Sequence, residues 1–322
     1  MSDSLRRSVV LFFVGMTSCG AAEVASPGDL VRAASRIAVL GDSITMDGRW
    51  VAYLVAWMEE QGFTADVINV GLSSETTSGL TEVHHANVTF PRPDLFERLD
   101  SVLRVTSPDL VIAMYGMNCG SYQPLDAGRF ARFRQGMERL HATVEQAGAN
   151  IVHLTPPIYD KQPGNPGPAA EADYEEVLQA YAEWLLSKRA DGWAVVDIHG
   201  PMKAALEDGR RTDPEFTLTP DCIHPNDAGH WVICRAFIAG LGDAAAAADP
   251  ALPATLDALL PDVKRRMKLL GDAYREAAGH KRPGMPRGLP IAVAEEKARG
   301  LTESIRSRGR NRRDTQDVAS PR

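Results

Sequence analysis

A serine, an aspartate and a histidine stand in two short polar segments that could together form a hydrolytic site. Ser43 lies in a Gly-Asp-Ser turn, and Asp221 lies three residues before His224. A serine hydroxyl is un-ionised at neutral pH, so it attacks an ester only when a base such as an imidazole takes its proton. A carboxylate can orient that imidazole and stabilise its protonated form. These residue types indicate a nucleophile (Ser43), a general base (His224) and a carboxylate that orients the base (Asp221).

Such a reaction also needs hydrogen-bond donors that stabilise the negative charge of the tetrahedral intermediate. Gly71 has no side chain to obstruct its N–H group, and Asn118 offers a side-chain amide. We therefore expect Gly71 and Asn118 to contribute to an oxyanion hole. Taken singly, each residue also has a simpler interpretation: Ser43 and Asp221 as helix caps, Gly71 and Asn118 as turn residues.

Short apolar segments alternate with longer segments of helical periodicity along most of the chain. The predicted strands are Ile37–Leu40, Val67–Val70, Leu110–Met114, Ile151–Leu154 and Ala194–Ile198, and the predicted helices are Trp50–Glu60, Leu95–Val105, Ala127–Ala147 and Ala172–Lys188. This alternation predicts an α/β fold in which helices cover both faces of a parallel sheet of about five strands. Ligands bind at the carboxyl ends of such strands. Ser43, Gly71 and Asn118 each follow a predicted strand.

The four polar segments together resemble the SGNH (GDSL-like) hydrolase family of esterases and acylhydrolases, whose signature is Ser, Gly, Asn and His in four blocks. Here the blocks read GDSIT around Ser43, NVGLSSET around Gly71, YGMNCG around Asn118 and DCIHPNDAGH around His224. The resemblance spans about residues 36–240. It implies a flavodoxin-like three-layer α/β/α sandwich and an acyl-enzyme on Ser43. It also implies an oxyanion hole formed by the N–H groups of Ser43 and Gly71 with the Asn118 amide.

One position departs from the family pattern. Cys119 follows Asn118 where the family usually has an aspartate. The change leaves the three catalytic residues in place, but it puts in doubt the hydrogen bonds that hold Asn118. We therefore expect a looser oxyanion hole than the family usually has.

Four further residues near the predicted strand ends are candidate substrate contacts. Asp42 precedes the nucleophile, His84 and His85 lie in the loop after the second strand, and Tyr122 follows the Asn118 segment. The Cys and His spacing matches no zinc pattern, so no metal is expected. The mechanism requires no cofactor.

The β-α alternation ends before the last quarter of the chain. We place the hydrolase domain at residues 36–243 and a C-terminal helical extension at residues 244–305, with helices near Leu256–Ala278 and Ala292–Ile305. Residues 306–322 begin with an arginine-rich stretch that has no apolar side chains. We expect this last segment to be a basic, disordered tail.

Residues 1–30 have the pattern of a signal peptide or lipoprotein signal. Arg6 and Arg7 precede an apolar run, Val9–Met16, that is too short to cross a bilayer, and small residues follow it. The Met-Thr-Ser-Cys sequence resembles a bacterial lipobox, in which Cys19 would be lipidated and tether the protein to a membrane. We expect an exported protein, either a membrane-anchored lipoprotein or a secreted or periplasmic enzyme; a buried N-terminal helix is the remaining alternative.

The chain carries 35 basic and 42 acidic side chains, a net charge of −7, which argues against a nucleic-acid partner. The expected partner is a small-molecule or polysaccharide ester, and the sequence predicts no oligomeric state. Polar loops near the strand ends favour small acyl groups, so we expect hydrolysis of O-acetyl or other short acyl esters of carbohydrates. The alternatives are a lipid or general carboxylesterase and a catalytically lapsed surface binding protein.

Overall fold

A parallel sheet forms the centre of the computed structural model, which describes residues 25–82, 90–161, 167–169 and 173–319. The strands are β1 (Arg36–Gly41), β2 (Asp66–Asn69), β3 (Leu110–Met114), β4 (Asn150–Leu154) and β5 (Ala194–Val196). Their order across the sheet is β2-β1-β3-β4-β5, and every neighbouring pair is parallel. The sheet predicted from the apolar segments is thus confirmed.

Strand β5 is shorter than predicted because side-chain hydrogen bonds replace its ladder. The predicted strand continues to Ile198, but β5 ends at Val196. The N–H group of Ile198 donates to Oγ1 of Thr155 at 2.7 Å instead of to a neighbouring strand. A polar side chain at the end of β4 therefore ends the strand beside it.

The helices of the described chain follow the predicted alternation and add several that were not predicted. They are α1 (Pro27–Ala33), α2 (Ser43–Asp47), α3 (Arg49–Gln61), α4 (Leu99–Thr106), α5 (Ala127–Gln146), α6 (Tyr174–Ser187), α7 (His199–Thr212), α8 (Asp227–Gly240), α9 (Ala254–Asp257), α10 (Leu260–Ala278) and α11 (Ile291–Ala319).

Two helical layers cover the sheet because the winding direction reverses after β2. The chain steps from β1 to β2 in one direction and then from β2 to β3, β4 and β5 in the other. With right-handed crossovers, α3 lies on one face and α4, α5 and α6 lie on the opposite face. Helix α8 packs against α3. The protein is therefore the α/β/α sandwich that the family resemblance implies.

The reversal also creates a crevice at the carboxyl ends of β1 and β3. These two strands are neighbours, yet their connections leave in opposite directions, and ligands bind at such a switch point in open α/β sheets. Ser43 follows β1 and Asn118 follows β3. The topology therefore places the predicted nucleophile beside the predicted amide donor.

The C-terminal extension packs on the sheet domain. Helix α10 contacts α3, α4 and β2, and α11 contacts α3 and α10. A Cβ at Gly271 would come within 2.7 Å of the carbonyl oxygen of Asn69, so α10 lies directly against the end of β2. Arg275 donates to the same carbonyl at 3.1 Å. The extension thus supports the loop that leaves β2.

The prediction of a disordered tail over residues 306–322 is wrong for residues 306–319, because α11 continues to Ala319. The prediction assumed that these arginines contact only solvent, whereas two of them contact acidic side chains. Arg306 donates to Oδ1 of Asp66 at 3.4 Å, and Arg308 pairs with Asp262 on α10. These acidic partners lie far away in the sequence.

The predicted boundary of the leader at residue 30 also lies too far along the chain. Residues 1–24, including Cys19, lie outside the described residues, but α1 begins at Pro27 with Ser26 as its N-cap. Val31 is buried, and a Cβ at Gly28 would come within 2.2 Å of the carbonyl oxygen of Leu241. Residues 27–30 therefore pack with the hydrolase domain.

None of the helices in the described part of the chain is both long and apolar enough to cross a membrane.

Candidate active site

Ser43 is the first residue of α2, directly after β1. Asp42 is the N-cap of this helix, and its Oδ1 accepts a hydrogen bond from the N–H group of Ile44 at 3.0 Å. Asp42 is 2% exposed, and burial raises its pKa to about 6. It does not line the cavity that contains Ser43. The sequence-based assignment of Asp42 to substrate binding is therefore wrong: its carboxyl group caps the nucleophile's helix.

Asp221 and His224 form a tight turn before α8. Oδ1 of Asp221 accepts hydrogen bonds from the N–H groups of Ile223 at 3.0 Å and His224 at 2.6 Å. Its other oxygen, Oδ2, lies 2.7 Å from Nδ1 of His224. Cys222, inside the turn, has a positive φ of 75°. The backbone bonds fix the carboxylate so that it can orient the imidazole.

The structure brings all three predicted catalytic residues together. Oγ of Ser43 lies 2.9 Å from Nε2 of His224, and Nδ1 of the same ring faces Asp221. With Nδ1 donating to the carboxylate, Nε2 is unprotonated and can accept the serine proton. The arrangement is that of a nucleophile, a base and a carboxylate that holds the base.

The contact between Asp221 and His224 shifts the pKa of both residues. Burial by itself raises the pKa of Asp221, but hydrogen bonds from the His224 ring and backbone outweigh it and hold the value at about 2. The hydrogen bond that the His224 ring donates to Asp221 raises the pKa of His224 above its ordinary value, and burial opposes this rise. The carboxylate is therefore fully ionised at neutral pH.

Ser43 and His224 open into a cavity of about 590 Å³. Nine of its eleven lining residues have polar or charged side chains, and one of these residues belongs to the C-terminal extension. The lining residues are Ser43, Ser73, Ser74, Arg92, Asn118, Tyr122, Pro168, Asp221, Ile223, His224 and Arg282. A substrate in this cavity would meet hydroxyl, amide and charged groups together with the carbon atoms of the same side chains.

The Asn118 amide is held in one orientation at the cavity wall. Its Oδ1 accepts hydrogen bonds from Arg92 at 2.8 Å and from the Tyr122 hydroxyl at 3.0 Å. Because a guanidinium can only donate, the contact with Arg92 fixes the amide oxygen on that side and makes Nδ2 the donor end of the amide. Nδ2 makes one long contact of 3.4 Å, to the carbonyl oxygen of Glu75. Asn118 can therefore donate to an oxyanion.

Arg92 was not identified from the sequence, because it lies in a loop without a recognisable pattern. Tyr122, a predicted substrate contact, does line the cavity, but its hydroxyl is committed to Asn118. The predicted contacts His84 and His85 lie outside the described residues.

Cys119 does not loosen Asn118 as the sequence suggested. Its buried Sγ lies 3.4 Å from the backbone nitrogen of Thr77 and 3.5 Å from Oγ1 of the same residue. Arg92 and Tyr122 hold Asn118 instead. The absence of the usual aspartate therefore leaves the amide well anchored.

Gly71 does not face the cavity, which corrects the prediction that its N–H group joins the oxyanion hole. That N–H group donates to Oδ1 of Asn69 at 3.0 Å. A Cβ at residue 71 would come within 2.7 Å of the backbone nitrogen of Met46. Glycine is needed here for close packing between the β2 loop and α2.

Ser74, three residues beyond Gly71, occupies the position that the sequence analysis gave to the glycine. It lines the cavity and has a left-handed backbone with φ of 67°. Its N–H group has no hydrogen-bond partner among the described residues. The signal in the sequence was the polar run Ser73-Ser74-Glu75, but its backbone conformation could not be deduced from residue types.

The described residues contain no group of three His, Cys, Asp or Glu side chains that could hold a metal ion.

Comparison with known proteins agrees with this geometry. The sequence profile of the GDSL-like lipase/acylhydrolase family matches residues 39–232. Solved structures of the same fold include a gut microbial diltiazem-metabolizing enzyme, with a TM-score of 0.55, 21% identity and coverage of 69% of this chain and 49% of that chain. The chain thus spans about half the length of that enzyme. No curated protein matches the sequence.

A second structural neighbour is an acetylxylan esterase from Geobacillus stearothermophilus. Its TM-score is 0.51 at 19% identity, with coverage of 66% of this chain and 96% of that chain. At these identities the likeness to solved structures is one of fold.

Proposed function

Since the chain belongs to the GDSL-like lipase/acylhydrolase family and is a carboxylic ester hydrolase, we propose that it removes acetyl or other short acyl groups from carbohydrates. The observation that carries the proposal is the contact series from Asp221 to His224 at 2.7 Å and from His224 to Ser43 at 2.9 Å, at the wall of a cavity lined by polar side chains and by only two aliphatic residues.

In the acylation step, Oγ of Ser43 attacks the ester carbonyl while Nε2 of His224 takes the serine proton. The protonated ring, stabilised by Asp221, then gives that proton to the departing alcohol. The C–O bond of the ester breaks and an acyl-enzyme remains on Ser43. In the second half, water loses a proton to His224 and attacks the acyl-enzyme. The bond between the acyl carbon and Oγ of Ser43 then breaks, His224 returns the proton to Oγ, and the carboxylic acid leaves.

Three donors near the carbonyl can stabilise the oxyanion in both halves. The Ser43 N–H group begins α2 and has no carbonyl acceptor within its own helix. The N–H group of Ser74 has no partner among the described residues, and Asn118, which lines the cavity, has its Oδ1 held by Arg92 and Nδ2 as its donor end. Each such donor contributes about 3 kcal/mol to transition-state stabilisation.

The cavity wall supports a short acyl group and a polar alcohol. Ile223 and Pro168 are its aliphatic members, whereas a long acyl chain would need an extended apolar channel. The fold is shared with an acetylxylan esterase, which adds support at the level of fold. Export, with a lipid tether at Cys19 or simple secretion, remains part of the proposal and rests on the sequence pattern of residues 1–30.

The first test compares 4-nitrophenyl esters from acetate to long acyl chains, followed by acetate release from acetylated oligosaccharides. Wild type is compared with Ser43→Ala and with Ser101→Ala, a matched loss of a hydroxyl on α4, outside the cavity. We expect activity that declines steeply with chain length, disappears in Ser43→Ala and persists in Ser101→Ala.

Other outcomes redirect the proposal. A preference for long acyl chains would indicate a lipid esterase, and equal turnover of many unrelated esters would indicate a general carboxylesterase. Turnover that survives Ser43→Ala would exclude the serine mechanism.

A further inference from the structure

Arg282 brings the C-terminal extension into the active-site cavity. It lies in the segment between α10 and α11, and it lines the same cavity as Ser43 and His224. Its guanidinium lies 5.4 Å from the centroid of the Phe90 ring, which orients the charged group by a cation–π contact. A basic side chain outside the family-matched region thus stands where the substrate must lie.

The polar contacts of Arg282 leave its charge without a counter-ion. Nη1 donates to the carbonyl oxygen of Pro283 at 3.1 Å and lies 3.5 Å from Sδ of Met285. Nε is buried without a hydrogen-bond partner. Among the described residues, no carboxylate pairs with this guanidinium. Burial lowers the pKa of Arg282, as expected for a cation that lacks an anionic neighbour.

Arg92, the other arginine in the cavity wall, is paired with a carboxylate. Nε of Arg92 donates to Glu82 at 2.7 Å, a second nitrogen also pairs with that carboxylate, and Nη1 holds Asn118 at 2.8 Å. Arg92 is therefore fully committed to protein groups. Arg282 has no such commitment.

The carboxylate in the cavity wall is also engaged. Asp221 uses Oδ2 for the His224 ring and Oδ1 for two backbone N–H groups. With Arg92 balanced by Glu82, and Asp221 bound to His224, Arg282 is the cation of the described lining that has no acidic partner. The cavity is therefore suited to an anion near Arg282.

We propose that Arg282 is a specificity-determining residue that binds a carboxylate of the substrate, so that the enzyme prefers anionic esters over neutral ones. Guanidinium groups bind carboxylates with paired N–H donors, and this geometry discriminates strongly against neutral groups. The carboxylate would belong either to the acyl part or to an acidic sugar on the alcohol side. This inference rests on the proposed ester hydrolysis at Ser43 and specifies its substrate.

Two pairs of substrates test the two sources of charge. For the acyl side, 4-nitrophenyl hydrogen succinate is compared with 4-nitrophenyl methyl succinate. For the alcohol side, acetates of methyl glucuronoside are compared with those of methyl glucoside, following acetate release. We expect kcat/KM to favour the anionic member of at least one pair by about tenfold, the scale of one charge-assisted contact.

Variants assign that preference to Arg282. Arg282→Gln should lower kcat/KM for the preferred anionic ester by about tenfold and change it for the neutral ester by less than about twofold. Arg282→Lys should keep part of the preference. The matched control is Lys281→Gln, which removes the neighbouring positive charge from a side chain that is 78% exposed and paired with Glu97 outside the cavity. Thermal unfolding of each variant checks that the fold is kept.

The outcomes separate this inference from the proposed function. Equal kcat/KM within both pairs, or equal losses in Arg282→Gln and Lys281→Gln, would overturn the role of Arg282 while leaving the esterase intact. If wild type hydrolyses no ester, the proposed function fails. The anion site is then tested by calorimetry of oligogalacturonate and a neutral xylo-oligosaccharide on Ser43→Ala and Ser43→Ala/Arg282→Gln. Selective binding of the acidic oligomer that Arg282→Gln abolishes would uphold the site, and its absence would refute it.

Discussion

Arg92 donates a hydrogen bond of 2.8 Å to Oδ1 of Asn118, and this contact fixes which end of the amide accepts and which end can donate. The guanidinium is itself held by Glu82 and lies 5.3 Å from the centroid of the Tyr122 ring. Tyr122 donates to the same amide oxygen. A loop arginine and a tyrosine whose backbone is left-handed, with φ of 54°, thus perform the anchoring that the family's usual aspartate would be expected to provide.

We expect Arg92→Met to lower kcat more than it changes KM. Without Arg92, the Asn118 amide can rotate and turn its oxygen toward the developing oxyanion, which removes one donor from the transition state. Loss of one such donor lowers kcat by roughly 100- to 1,000-fold, and we expect a loss of this size in Asn118→Ala. The loss of kcat in Arg92→Met should be smaller than the loss in Asn118→Ala. Steady-state kinetics on a short-chain ester measure both variants.

Tyr122→Phe provides the comparison, because it removes the second contact to the same oxygen and leaves the charge in place. If Asn118→Ala loses activity but Arg92→Met does not, the tyrosine alone would suffice to hold the amide, and the role given to Arg92 would be wrong.

The pH dependence should follow the contact between Asp221 and His224. His224 acts as a base only when neutral, and its pKa is raised above its ordinary value of 6.5, mainly because its ring donates a hydrogen bond to Asp221. The acidic limb of kcat/KM should therefore have its midpoint above pH 6.5. Asp221→Asn removes the charge that raises this pKa. The limb should then move to lower pH, while the plateau rate falls by about ten-thousandfold.

The matched variant is Asp227→Asn, which neutralises an 80% exposed carboxylate paired with Arg49 on the same side of the molecule. In Asp227→Asn, the midpoint of the acidic limb of kcat/KM should stay close to that of the wild type. A limb that shifts equally in both variants would indicate a general effect of charge rather than the specific contact to His224.

The predicted site residues that the structure brings together are those whose proposed role depends on chemical type within a short segment. Ser43 follows an apolar strand, and Asp221 and His224 lie so close in sequence that one turn brings them together. The parallel sheet followed in the same way from alternating apolar and amphipathic segments. Local pattern was sufficient for both.

The errors share a different physical origin, namely dependence on backbone geometry or on distant partners. The N–H group of Gly71 turns toward Asn69, whereas Ser74 adopts a positive φ at the cavity, and residue types alone do not fix either direction. Arg92 reaches Asn118 only through the fold. Arg306 and Arg308 of α11 pair with acidic residues that are remote in sequence, Asp66 and Asp262.

Ser74→Gly should stabilise the protein and retain activity. A left-handed backbone such as that of Ser74, with φ of 67°, is unfavourable for a residue with a Cβ, and glycine removes that cost of about 1 kcal/mol. The N–H group stays in place, so the oxyanion contribution should persist. Urea denaturation measures the stability, and short-chain ester hydrolysis measures the activity.

Ser107→Gly is the matched control for strain, because Ser107 also has a positive φ, at the C-terminus of α4 and outside the cavity. Both variants should raise the denaturation midpoint. A large loss of activity confined to Ser74→Gly would mean that the hydroxyl group, rather than the N–H group, acts in the cavity.

A buried ion pair between Glu75 and Arg98 lies next to Ser74, a residue of the cavity wall. Arg98 contacts both carboxylate oxygens of Glu75, one of them at 2.7 Å, and the Tyr115 hydroxyl donates to the carboxylate at 2.6 Å. Glu75 and Arg98 side chains are 0% and 3% exposed. The carbonyl of Glu75 also contacts Nδ2 of Asn118. The pair therefore anchors the backbone that carries Ser74 to the amide donor.

Glu75→Gln should destabilise the protein by about 3–5 kcal/mol, because it leaves the Arg98 charge buried without its counter-ion. The double variant Glu75→Leu/Arg98→Met should unfold at a higher urea concentration than Glu75→Gln, since it removes both charges together and keeps much of the volume. Glu97→Gln, which breaks the exposed pair with Lys281, should leave the midpoint nearly unchanged. If the double variant is instead the less stable of the two, the pair itself would contribute net stability, and its purpose would extend beyond holding the Ser74 loop in place.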